Sequence, residues 1–174
     1  MEEEDEPVFG RINRLMKVAS KEDDRGMILS VAAFAEECLG QLLLTYLIGG
    51  KHAEDLVEGF NAPLGTLSAR IKGAYAVGLL SDQQFEDLER IRKIRNEFAH
   101  NWAGCTFGSP KVASLIGQLN PSRIDSNGNS KPRDILYSTA TCILVELECL
   151  RGQLTKRSRR AISVAMHLSL KPSK

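Results

Sequence analysis

No stretch of this chain reaches the roughly 18 consecutive apolar residues that a membrane-spanning helix needs. The N-terminus opens with Glu2, Glu3, Glu4, Asp5 and Glu6, without the basic start and apolar run of a signal peptide. A cytoplasmic protein with no membrane partner is the expectation. No C-x-x-C pair is present and no cysteine has a close histidine partner, so neither a metal nor a cofactor is expected. Cys142 and Cys149, seven apart on one expected helix, would stand about 10 Å apart along its axis, too far to bridge. With Cys38 and Cys105 they read as free thiols in a reducing compartment. Alternating strand patterns and internal repeats are also missing. Acidic residues stop at Glu148, after which come Arg151, Lys156, Arg157, Arg159, Arg160, Lys171 and Lys174.

What is present is enough for one core. At 174 residues and 43% hydrophobic content a single domain suffices, and the net charge of +1 conceals an acidic start and a basic end. The pattern divides the chain into a disordered acidic segment over 1–7, a helical domain over 8–156 and a basic tail over 157–174.

The apolar residues recur at helical spacing. Val8, Phe9, Ile12, Leu15, Met16 and Ala19 mark a first amphipathic helix. Ser20 with Asp23 marks a new start, and Met27, Ile28, Val31, Phe34, Ala35, Cys38, Leu39, Leu42, Leu43 and Tyr46 run on to Gly49-Gly50. That helix should be the centre of the core. A short helix around Ala53 to Glu58 and a turn through Asn61 to Gly65 follow, then a helix through Leu67, Ile71, Ala74 and Val77 to Gly78.

The segment Ser81 to Trp102 carries the clearest stripe: Phe85, Leu88, Ile91, Ile94, Phe98 and Trp102. Ser81 and Gln84 form a candidate capping box and Gly104 a stop. Pro110 to Leu119 offers a helical turn or two, Asn120-Pro121 and Ser126 to Ser130 an exposed mobile loop, and Pro132 opens a last helix through Leu154. The fold class is all-α, a single-domain bundle of about five to seven helices.

Two resemblances bear on function. Phe60 to Lys72, with Pro63-Leu64-Gly65, Ser68 and Arg70, continuing through Ala74 to Leu80 and Phe85-Glu86-Asp87-Leu88, resembles the mannitol operon repressor family over roughly residues 55–103. That resemblance implies an all-helical fold and a regulatory role. It does not imply DNA binding, and no helix-turn-helix with an exposed basic recognition helix is visible. Arg95-Asn96-Glu97-Phe98-Ala99-His100 is similar to the R-x-x-x-x-H motif of HEPN-type ribonucleases. There the implied chemistry is metal-free: His100 would move protons, Arg95 would stabilise charge on phosphate, and Asn96 follows the arginine. Such sites are usually composite between two protomers.

The same residues have plainer readings. His100 suits a cap on the free carbonyls at a helix end, Asn96 and His100 can bond one another at i, i+4, and Glu89 can pair with Lys93. Arg92, Lys93 and Arg95 would form a solvated basic face, and Arg92, Arg95, Asn96 and His100 are the candidate partner-binding residues. Arg70, buried and paired with Glu36, Glu37 or Asp87, would pin two helices, while Pro63 and Gly65 shape the turn before it. The basic run Lys156 to Arg160 could attract RNA, DNA or an acidic protein, though without interleaved aromatics for base stacking.

The expectation is a non-enzymatic regulator that binds another protein, either repressing transcription through it or neutralising a toxin as an antitoxin or immunity protein. The alternative is a metal-independent ribonuclease using Arg95 and His100. RNA and a second copy of the chain are the further candidate partners.

Overall fold

The computed structural model describes residues 8–101, 103–120 and 130–162, with the side chains of Val8 and Phe9 outside that description. Over these residues the chain forms seven helices and no strand: α1 (Val8–Ala19), α2 (Asp24–Tyr46), α3 (Lys51–Val57), α4 (Leu67–Ala76), α5 (Asp82–His100), α6 (Pro110–Gly117) and α7 (Pro132–Lys156). The protein is all-α. The expected acidic segment, the loop over 121–129, Trp102 and the chain beyond Ile162 lie outside the described residues.

α2 is the hub because it is apolar on nearly every side, a pattern that suits only a surrounded helix. By length and composition alone it could cross a membrane, yet here it is spent as core: Met27, Ile28, Val31, Ala35, Leu39, Leu42 and Leu43 are buried. α1, α3, α4, α5 and α7 all pack on it. Asp23, not Ser20, caps its start by accepting from Gly26 N at 2.7 Å, because the Ser20 hydroxyl donates back to Lys17 O at 3.0 Å. It ends at Tyr46, short of the expected glycine pair, with Leu47 as the C-cap.

α5 lies against α2, α4 and α6. Its capping box is formed: Ser81 Oγ accepts from Gln84 N at 3.3 Å and Gln84 Oε1 accepts from Ser81 N at 3.0 Å. Gln84 Nε2 also donates to Glu146 Oε2 at 2.8 Å and so ties this end of α5 to α7. Leu88, Ile91, Ile94 and Phe98 are buried as the stripe requires, each contributing about 1.5–3 kcal/mol by removal from water. Pro132 sits in the first turn of α7, where its missing N–H costs nothing.

Arg70 pins the turn, though not through an ion pair. Its Nε donates to Leu64 O at 2.9 Å, Nη1 to Glu36 O at 2.8 Å and Nη2 to Val57 O at 2.8 Å. The carboxylates expected as its partners are engaged elsewhere. Glu36 accepts from Leu67 N at 2.9 Å, a free donor in the first turn of α4. Glu37 takes Arg11, and the fully buried Asp87 takes Arg90 Nη1 and Asn120 N, each at 3.1 Å. Gly65 N donates to Ala62 O at 2.8 Å, and a Cβ on Gly65 would meet that same carbonyl oxygen at 2.9 Å. The turn therefore needs glycine there. Pro63 is exposed on its outside.

Candidate functional site

Of the R-x-x-x-x-H motif, Arg95, Asn96 and His100 lie on the surface of α5 while Phe98 is buried, and the helix period distributes them. Arg95 lies toward α2 and α4, in a cavity of about 280 Å³ with Leu29, Ala32, Ala33, Glu36 and Leu67. Asn96 lies toward α6, in an open cavity of about 400 Å³ with Arg92, Lys93, Glu97, Lys111, Ser114 and Leu115. His100 is exposed, lines neither cavity and makes no hydrogen bond among the described residues.

The other sequence expectations for this helix are corrected by its neighbours. Arg92 is held by Glu89 through two bonds, Nε to Oε1 at 3.0 Å and Nη2 to Oε2 at 2.8 Å. Glu89 therefore pairs at i+3 with Arg92 and not at i+4 with Lys93, because the planar guanidinium offers two parallel donors. That bond holds the Glu89 carboxyl below the usual carboxylate range despite partial burial, and raises Arg92 correspondingly. Asn96 Oδ1 accepts from Arg95 Nη1 at 3.1 Å, so Asn96 faces its sequence neighbour and not His100.

His100 does not cap α5. Arg25, from the first turn of α2, donates Nη1 to Phe98 O and Nη2 to Asn101 O, the latter at 2.7 Å. Its guanidinium also lies 5.9 Å from the Phe98 ring centroid, a cation–π distance. Sequence reading missed Arg25 because its acceptors are backbone atoms more than 70 residues away, which leave no pattern in side-chain identity. Beside it, Arg133 of α7 donates to Asp24 Oδ1 at 2.7 Å, and Asp24 Oδ2 accepts from Phe107 N at 2.9 Å. The start of α2 thus fixes both the end of α5 and the segment leading to α6.

Charge on the face is mostly matched internally. Lys111 pairs with Glu97 at 2.6 Å and Arg90 with Glu86 at 2.9 Å. Lys93 and Arg95 make no ion pair among the described residues, and the apolar Leu29, Ala33 and Ala99 are exposed beside Arg95. No group of three or more metal-ligating side chains occurs among the described residues. The four cysteines are unpaired thiols, with the Cys38 thiol pushed up by burial and by Glu148.

The described domain is all-α, with an open, partly apolar helix face on which Lys93 and Arg95 make no ion pair among the described residues. The chain belongs to the mannitol repressor family, whose model matches residues 52–171. The match extends well past the 55–103 stretch, through the basic C-terminal run. Two curated mannitol operon repressors, from two strains of Escherichia coli, are each 27% identical over 101 residues, 55% of this chain. The chain spans about half the length of these relatives, 51%. A chain in the X-ray structure of the MtlR–HPr complex from Escherichia coli shares the fold, with a TM-score of 0.61 and 22% identity over 81% of this chain and 98% of that one.

Proposed function

We propose that this chain is a cytoplasmic regulatory protein that acts by binding another protein and performs no catalysis itself. Family membership supports the regulatory role, and the shared fold with a chain solved in complex with HPr makes a partner of HPr type the first candidate. The observation that carries the reading is the α5 face. Arg95, exposed and without an ion pair among the described residues, shares its cavity with the apolar Leu29, Ala32, Ala33 and Leu67 and with Glu36, whose carboxylate accepts from Leu67 N. A partner side chain could bury apolar surface in that cavity while a carboxylate or carbonyl meets Arg95.

Repression of transcription through the bound protein is the version the family supports. Neutralising a toxin would use the same kind of surface and differs only in the partner. The test is co-elution in size-exclusion chromatography of the purified chain with HPr from the same organism. Wild-type chain should carry HPr into an earlier peak, and Arg95→Glu should not. Wild-type chain eluting apart from HPr would remove HPr as the partner. RNA and chain alone serve as comparisons for the other two candidate partners.

A further inference from the structure

The basic run after α7 is anchored at both ends. α7 closes at Lys156, and Ser158 adopts a left-handed backbone, φ 49°. Arg159 N donates to Leu154 O at 3.0 Å, and Ala161 N then donates to Tyr46 O at the end of α2, at 2.7 Å. The Arg160 guanidinium lies over Gly49, where an added Cβ would meet Nη1 at 3.2 Å. Residues 157–161, the start of the basic stretch over 157–174, are therefore a loop fixed onto the α2 terminus.

Two further features share this place. Lys156, Arg157, Arg159 and Arg160 are exposed and make no ion pair among the described residues. Ile48 and Ile162 flank the Ala161–Tyr46 hydrogen bond, and they are 57% and 80% exposed. Branched apolar side chains exposed next to arginines differ from a phosphate-binding strip, which has no use for them, and the loop over 157–162 itself carries no aromatic residue to stack a base. Apolar anchors bordered by arginine are the composition of a protein interface.

We propose that this anchored arginine loop, with Ile48 and Ile162, is a second docking surface that takes an acidic protein segment carrying apolar side chains. Its carboxylates would meet Arg157, Arg159 and Arg160, and its apolar residues would cover the isoleucines. Because the loop is already fixed, little backbone entropy remains to be lost on binding. The surface shares no residue with the α5 face.

The test is fluorescence anisotropy with the full chain and a labelled peptide of glutamates interrupted by two leucines. Arg157→Glu/Arg160→Glu and Ile48→Ser/Ile162→Ser are the variants. Wild type should bind the peptide at physiological salt, and each double variant should lose about ten-fold in affinity. The arginine variant should still co-elute with the α5-face partner, so failure here is separable from failure of the functional reading. Three results would overturn the proposal: no peptide binding by wild type, isoleucine variants that bind as wild type, or displacement of the peptide by an oligonucleotide of equal charge or by anionic vesicles. The last would mark a polyanion or lipid surface.

Discussion

The guanidinium of Arg70 lies directly on the backbone of Gly40 in α2: a Cβ at that glycine would stand 2.8 Å from Nη1 and 2.9 Å from Cζ. Arg70 reaches Glu36 O, one helical turn before Gly40, only because no side chain intervenes. Gly40→Ala should displace the guanidinium and weaken three hydrogen bonds worth about 1 kcal/mol each, against a helix-propensity gain of about 1 kcal/mol. The net expectation is a loss of about 2 kcal/mol in denaturant unfolding. Arg70→Met should cost at least as much, and an unchanged midpoint for both would contradict the geometry.

Arg25 and His100 separate by the same logic. Arg25→Ala removes the donors that cover the last carbonyls of α5 and should destabilise the fold by about 1–2 kcal/mol, with faster amide exchange confined to the end of that helix. His100→Ala, at an exposed side chain with no hydrogen bond among the described residues, should stay within about 0.5 kcal/mol of wild type. Equal effects of the two would restore His100 as the cap.

Glu89 supplies a pH signature. Its carboxyl titrates lower in the folded protein than in the unfolded chain, chiefly through the Arg92 hydrogen bonds. The pair's contribution is therefore fully present above the ordinary carboxylate range and disappears as pH falls through the folded-state value. Glu89→Gln should lower stability at neutral pH and flatten the acid limb of a stability-versus-pH curve. Parallel curves for the two proteins would rule the pair out as a contributor.

Thr139 is fully buried in α7, and its hydroxyl has no hydrogen-bond partner among the described residues. Thr139→Val preserves the shape and replaces that hydroxyl with a methyl group. It should raise stability by about 1 kcal/mol, seen as a higher melting temperature. A lower melting temperature would mean that the hydroxyl is satisfied.

The fold was legible because helix periodicity is written in side-chain identity. The α5 stripe of Leu88, Ile91, Ile94 and Phe98, the Ser81–Gln84 box and the Pro132 start all depend on residues a few positions apart. Family likeness was legible for a similar reason, through the ordered Pro63-Leu64-Gly65 turn and Arg70. Less visible was where long cationic side chains end. Arg70 and Arg25 both bond backbone carbonyls, which every residue type possesses, so sequence offered carboxylates or His100 in their place. The Glu89–Arg92 choice over Glu89–Lys93 was settled by guanidinium geometry, which spacing alone does not express. The anchoring of the basic loop rests on two backbone bonds, Arg159 N to Leu154 O and Ala161 N to Tyr46 O, equally silent in the sequence.

Titration calorimetry of the purified chain with HPr from the same organism, alongside Arg95→Glu, tests the central claim most directly. The account predicts saturable one-to-one binding in the micromolar range, about −8 kcal/mol, with the heat lost in the variant and total tRNA left intact by the wild type without metal. No heat with HPr, together with metal-free tRNA cleavage that disappears in His100→Ala, would contradict it and make the chain a ribonuclease.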